Sequence, residues 1–169
     1  VSAEQYDFNK FSVSSINYDL EDDISGNAIA LDARVLNNNV IYQASYSSGD
    51  LEDIDIDQAV ISVGYALSNT KDRLTALGIS VGRAEASFEG YSMDNNYQAL
   101  NLLHSYRATD NAELNLRASY FKVNDSANYK EFEISASYFL TESLTFDAGV
   151  TQTIGLKERV LSIGTSFRF

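Results

Sequence analysis

Few residues of this chain could do chemistry, so each can be weighed separately. The single histidine, His104, is followed by Ser105 in a sequence with 24 Asp and Glu residues. A nucleophilic hydrolase needs a hydroxyl, an imidazole and a carboxylate within hydrogen-bond reach. Successive side chains of an extended segment point to opposite faces, so His104 and Ser105 do not meet if this stretch is a strand. One histidine and no cysteine exclude a multi-histidine metal centre, thiolate ligands, disulfides and a cysteine nucleophile. The run Asp50-Leu51-Glu52-Asp53-Ile54-Asp55-Ile56-Asp57 has the acid density of a calcium loop without its glycine and terminal glutamate. It reads as a solvated acidic loop, with Asp53, Asp55 and Asp57 as weak metal candidates. No cofactor and no catalysis are expected, and the plain reading of His104 is a neutral ring at an interface.

Charge removes a further class of partner. Against the 24 acids stand 12 Lys and Arg, a formal net charge of −12, whereas nucleic-acid affinity comes largely from cations neutralising phosphates. No nucleic acid is expected. The hydrophobic fraction is 44%, yet no apolar run approaches the roughly 20 residues of a membrane-spanning helix. The length of 169 residues fits a single domain over 1–169.

What positions these side chains is alternation. Apolar residues recur at every second position in Ala59, Ile61, Val63, Tyr65, Leu67; in Leu114, Leu116, Ala118, Tyr120; and in Phe132, Ile134, Ala136, Tyr138, Leu140. The same holds for Leu144, Phe146, Ala148, Val150 and for Leu161, Ile163, Thr165, Phe167, Phe169. The residues between are small or polar, the pattern of strands with two unlike faces. The count gives ten strands, at about 7–19, 27–36, 39–48, 58–68, 73–84, 97–108, 112–123, 130–140, 143–154 and 159–169. Short connections alternate with longer, acidic ones at 20–26, 49–57, 85–96 and 124–129. In the first strand Phe11 and Val13 lie on the opposite parity to Ile16 and Tyr18, which a bulge near Ser14-Ser15 would reconcile. Eight strands with a loose amino-terminal segment are the alternative. Gly64-Tyr65-Ala66-Leu67-Ser68-Asn69, Ser105-Tyr106-Arg107-Ala108-Thr109-Asp110 and Ser137-Tyr138-Phe139-Leu140-Thr141-Glu142 repeat one hairpin theme.

An antiparallel sheet with one apolar face can turn that face to a core or to lipid. The hydrophilic parity is dominated by Gly, Ala and Ser, which suit the inside of a narrow barrel better than a water-facing strand. Aromatic residues also sort by height. Tyr42, Tyr65, Tyr106, Tyr138, Phe146, Phe167 and Phe169 fall near the short turns, and Tyr46, Tyr97, Tyr120 and Phe132 near the other rim, as the girdles of a membrane barrel do. The expected fold is all-β, a closed antiparallel up-and-down transmembrane β-barrel.

The final strand, Arg159 to Phe169, with its alternating apolar residues and terminal phenylalanine, resembles the sorting signal of bacterial outer-membrane β-barrel proteins. The Tyr-x-Leu-(Ser/Thr)-(Asn/Asp/Glu) turns are similar to those of the small OmpA-like and porin-like barrels. The resemblance implies recognition of Leu161, Ile163, Phe167 and Phe169 by the barrel-assembly machinery. It also implies a multi-pass place in the outer membrane after removal of a signal peptide, with lipid and lipopolysaccharide as surroundings. In that setting the acidic run would bridge through divalent cations to lipopolysaccharide phosphates.

The hydrophilic parity carries Asp32, Arg34, Arg107, Glu113, Arg117, Glu131, Glu133, Asp147 and Arg168 into the lumen. Such charges must be paired, so they form either a salt-bridge network that closes the barrel or a constriction that selects permeants. With Asp22, Asp23, Glu85, Glu89 and Asp94, the acidic run makes the outer mouth negative, which attracts cations. The expected function is a narrow porin-like passage for small cations or solutes. A non-conducting structural barrel, or an adhesin whose loops bind a partner, is the alternative.

Overall fold

The computed structural model describes residues 6–20, 24–124 and 128–169. The alternating segments become β1 (Lys10–Asp19), β2 (Ser25–Asn37), β3 (Val40–Leu51), β4 (Ile54–Thr70) and β5 (Arg73–Phe88). They continue as β6 (Tyr91–Thr109), β7 (Ala112–Val123), β8 (Tyr129–Phe139), β9 (Leu144–Thr153) and β10 (Arg159–Arg168). Each pairs antiparallel with its chain neighbours, and β1 closes on β10 from Lys10 opposite Arg168 to Asp19 opposite Arg159. Closure leaves no unpaired strand edge. The barrel therefore has ten strands, and the eight-stranded alternative is excluded.

The strands are strongly tilted. Partners followed from Asp19 through Arg159, Gln152, Phe132, Ala118 and Leu102 continue through Leu77, Tyr65 and Val40 to Asn37. That path descends from one end of β1 to the opposite end of β2, the stagger that barrel closure requires. Both the start of β1 and the end of β10 lie at one rim, here the terminal rim. There Asn38 and Asn39 both have positive φ, 48° and 65°, the type I′ geometry that matches strand twist and that Asn tolerates. Glu89 and Gly90, with φ of 46° and 85°, make the same kind of turn at the far rim.

Three details differ from the sequence reading. The expected loops at 49–57 and 85–96 shrink to turns at Glu52-Asp53 and Glu89-Gly90, because β3, β4, β5 and β6 run on through the acidic stretches. Asp and Glu are poor strand formers, but these side chains are mostly exposed while their backbones are paired, for instance Asp50 opposite Asp55. The bulge at Ser14-Ser15 is absent, since β1 keeps an unbroken register with both neighbours. Ile16 and Tyr18 point inward, and the outward Asn17 amide donates to Asn27 on β2. Register shifts occur instead at Ala66/Ser68 and Arg107/Thr109.

Outside, the barrel is apolar: Ile29 is 64% exposed, Ile61 63% and Ile163 54%. A water-soluble fold would bury such residues. The aromatic girdles lie on this face with one correction. Tyr97 is buried and points into the lumen, where its ring covers Gly82 and its hydroxyl accepts a 2.5 Å bond from Gln58 Nε2. Any Cβ at position 82 would collide with that ring, so the glycine is what lets Tyr97 lie flat against the wall.

Candidate functional site: the lumen

The hydrophilic parity builds two unlike halves inside the barrel. In the half near the terminal rim, Tyr6 and Phe8 precede β1 and turn into the lumen. They are 3% and 4% exposed and pack with Ile41, Ala66, Leu74, Ala76 and Leu103. Burial of two aromatic side chains is the main energetic reason for this segment to enter. Polar contacts fix its course. The Tyr6 backbone N–H donates to Asn69 Oδ1 at 2.9 Å, Asn9 Oδ1 accepts from the Leu36 N–H at 2.7 Å, and Arg168 Nη1 donates to the Asp7 carbonyl at 2.6 Å. The guanidiniums of Arg107 and Arg34 stand 5.8–5.9 Å from the Tyr6 and Phe8 ring centroids, respectively. The segment is a plug rather than wall, since it belongs to no strand.

The nine charged residues named from the sequence all project inward, in separate groups. Arg168 and Glu113 form a fully buried pair at 2.9 Å. Arg34 binds Asp32 at 2.8 Å, and Asp32 also accepts from Gln43 Nε2 at 2.6 Å. Gln43 in turn accepts from Arg117 Nη2 at 3.3 Å, and Arg117 lies 3.9 Å from Glu133. These links join Asp32, Arg34, Arg117 and Glu133 across the lumen. Asp147 is held by hydroxyls, accepting from Ser137 at 2.5 Å, from Thr145 at 3.2 Å and from Ser166. Arg107 shares the Phe139 ring with Arg168, their guanidiniums 4.8 and 4.6 Å from its centroid.

Glu131 lines the other half, a polar cavity of about 150 Å³ bounded by Gln43, Gln58, Asn101, Arg117, Ser119 and Glu133 among others. Hydroxyls and amides here bond to one another: Ser62 with Ser80 at 2.7 Å, Asn101 to Ser80 at 2.6 Å, and Ser119 to Asn101 at 2.8 Å. Small side chains leave this space open; a Leu or Phe at Ser45, Ser62 or Ser119 would fill it. The lumen is thus a polar chamber above an aromatic floor.

Other candidates fall elsewhere. His104 faces outward and its Nδ1 is 2.9 Å from the Thr75 hydroxyl, while Ser105 is buried inside and donates to Asn115 at 2.6 Å. Asp53 sits in a turn; Asp55 and Asp57 are exposed β4 residues, and Asp57 accepts from the Tyr46 hydroxyl at 2.7 Å. Asp55 and Asp57 are therefore strand residues rather than the loop residues expected, and Asp53 alone of the three lies in a turn. Asp22 and Asp23 lie outside the described residues. Tyr6, Phe8 and Lys10 escaped the sequence reading, which puts Tyr97 in the outer girdle instead of the lumen. The available signal was parity, because Tyr6, Phe8 and Lys10 continue the inward register of Ser12.

NanC porin matches this architecture with a TM-score of 0.61 at 10% sequence identity, over 94% of this chain and 100% of that one. The fold is that of the small porins. KdgM porin gives a TM-score of 0.55 at 11% identity, over 94% of this chain and 99% of that one. The β domain of the Bordetella autotransporter BrkA gives 0.52 at 10% identity, over 95% and 98%. No protein-family model matches the chain, and no curated protein does. At such identities the shared property is architecture, while function has to be argued from the lumen.

Proposed function

We propose that this chain is a bacterial outer-membrane β-barrel forming a narrow passage for small solutes, closed at its periplasmic end by its own amino-terminal segment. The observation that carries this reading is the polar chamber floored by Tyr6 and Phe8, two side chains that the wall does not need for its ladder. A barrier made of a short segment can leave without breaking any strand pairing. Its polar anchors are single contacts, such as Arg168 Nη1 to the Asp7 carbonyl and the Tyr6 N–H to Asn69 Oδ1, rather than a ladder. The terminal rim is then periplasmic and the far rim extracellular. Leu161, Ile163 and Phe167 on β10, and Phe169 just past its end, are exposed, where an assembly machine can read them.

The acidic mouth belongs to the same proposal. Asp50, Glu52, Asp53, Asp55, Asp57, Glu89 and Asp94 are exposed at or near the far rim. Arg83 partly offsets them, at 3.7 Å from Glu85 and 3.2 Å from Asp94. Arg34, Arg107 and Arg168 sit at the opposite end, where Asp32 and Glu113 neutralise Arg34 and Arg168, so the charge asymmetry of the passage comes from its acidic mouth. A second reading, a structural barrel that never conducts, is favoured by the close filling of the plugged half, where Leu74 and Thr145 are fully buried.

Single-channel recording in planar bilayers separates the two. The parent chain is expected to be silent with rare brief openings, and a Tyr6→Ala/Phe8→Ala variant to conduct steadily. Under a salt gradient that current should prefer cations, with a smaller reversal potential after Asp53, Asp55 and Asp57 are changed to Asn, and the difference should shrink at high salt as exposed charges are screened over about 10 Å at 0.1 M. A folded variant that stays silent establishes the structural barrel. Equal steady conductance of parent and variant removes the plug from the account.

A further inference from the structure

The outward face changes character one step beyond the extracellular edge of the apolar band, and it does so differently on the two sides of the barrel. On β6 the outward residue after Leu100 is Gln98; on β7 Lys122 follows Tyr120; on β8 Lys130 follows Phe132. On β9 Gln152 follows Val150, and on β10 Arg159 follows Leu161. Pairing aligns them: Gln98 is opposite Lys122, Lys130 is opposite Tyr120, and Arg159 is opposite Gln152. The result is a continuous strip of cations and amides across five strands. Lys122, Lys130 and Arg159 are exposed, and none is ion-paired to a described residue.

The rest of the circumference has no such strip. The corresponding outward positions are Asp19 and Asn17 on β1, Asn27 on β2, Ser48 on β3 and Asp57 on β4, and Arg83 on β5 is held by Glu85 and Asp94. In a chain of net charge −12, the exposed Lys122 and Lys130 at one height on one side, with Arg159 beyond them opposite Asp19, call for an anionic neighbour. That height is where lipid headgroups begin, because the rings of Tyr120 and Phe132 mark the interface immediately below. Strand neighbours lie about 5 Å apart and diagonal ones about 7–8 Å. Cations so spaced can hold more than one phosphate of the same headgroup, with Gln98 available to sugar hydroxyls, while the Gln152 Nε2 is spent on the Leu156 and Glu158 carbonyls at 2.9 and 2.7 Å.

We propose that Lys122, Lys130 and Arg159, with Gln98 beside Lys122, bind the phosphorylated headgroup of an outer-leaflet glycolipid. The inference rests on the outer-membrane reading but not on the passage or its plug. It gives the barrel a lipid-binding side, β6 to β10, and an acidic side, β3 to β5, that repels the same headgroups.

The test uses the full chain folded in zwitterionic micelles, with folding checked by heat-modifiable electrophoretic mobility. Bisphosphorylated lipid A is titrated into it, with dephosphorylated lipid A and inorganic phosphate as separate probes. K122Q/K130Q/R159Q is expected to bind bisphosphorylated lipid A roughly a hundredfold more weakly than the parent, from about 1 kcal/mol for each basic residue near an anionic surface. K122R/K130R/R159K keeps the parent affinity. Should the triple Gln variant misfold, K130Q alone carries the decision with a loss of roughly fivefold. Parent affinity in a folded Gln variant, or equal binding of dephosphorylated lipid A, overturns the proposal. Inorganic phosphate binding as tightly as the lipid overturns it in favour of a simple ion site. A chain that never reaches the heat-modifiable form contradicts the outer-membrane reading and takes this proposal with it.

Discussion

Arg168→Ala is expected to lower folding stability by about 3–5 kcal/mol, the cost of leaving a buried charge without its partner. Arg168 and Glu113 are both buried and 2.9 Å apart, and Arg168 is the only ion-pair partner of Glu113 among the described residues. The same guanidinium donates to the Asp7 carbonyl and lies over Phe139. Its loss therefore strands a carboxylate, frees one anchor of the plug and opens a void beside an aromatic ring. Replacing both partners at once, as Glu113→Leu/Arg168→Met, removes the charges together and is expected to cost less than Arg168→Ala. Urea unfolding of the micelle-bound chain measures all three proteins. A loss below about 1 kcal/mol for Arg168→Ala would mean that water reaches Glu113 and screens it as at a surface.

The second large effect separates the two faces of one wall. Ile134→Arg puts a guanidinium on the outward face near the middle of the apolar band, where Ile134 pairs with Leu116 and is 43% exposed. In lipid this costs about 2–4 kcal/mol. Ser45→Arg points instead into the polar chamber, which has room and carries Glu131 and Glu133 on its wall. Its effect on the same unfolding measurement is expected to be under about 1 kcal/mol, in the range of substitutions that neither bury a lone charge nor overpack a core. Similar losses at both positions would mean that the apolar face does not contact lipid.

Most of the wall was legible because a barrel imposes one rule at every position. An apolar outside and a polar lumen force a period of two, which Ala59 to Leu67, Leu114 to Tyr120 and Phe132 to Leu140 follow apart from the inward Val60 and Phe139. The parity rule failed where the surroundings change. Asp50, Asp55 and Asp57 look like loop residues because strand propensity counts them as breakers, yet beyond the membrane an outward acid is simply solvated and the ladder continues beneath it. Ile16 and Tyr18 break the pattern near the far-rim end of β1, where Asn17 can face outward because its amide pairs with Asn27.

The lumen was legible in content and not in arrangement. Its nine charges could be assigned to the inner face one by one, but which acid meets which base depends on strands far apart in sequence, such as Glu113 and Arg168 on β7 and β10. The plug is the clearest omission. Tyr6 and Phe8 continue the alternation of β1, and no local property distinguishes a strand that runs on from a segment that folds into the space inside. The cationic strip was hidden for the same reason: Lys122, Lys130 and Arg159 become neighbours only through the register.

The absence of tryptophan from the chain makes one measurement especially direct. Single substitutions Leu116→Trp, Ile134→Trp and Ile163→Trp place the only indole on the outward face, whereas Ser45→Trp and Ser62→Trp place it in the lumen. Each protein is folded into vesicles of phosphatidylcholine brominated on its acyl chains, and fluorescence is compared with that in unbrominated vesicles. A membrane-spanning barrel predicts strong quenching at positions 116, 134 and 163 and little at 45 and 62. Equal quenching at both sets, or none at the outward set, would contradict it.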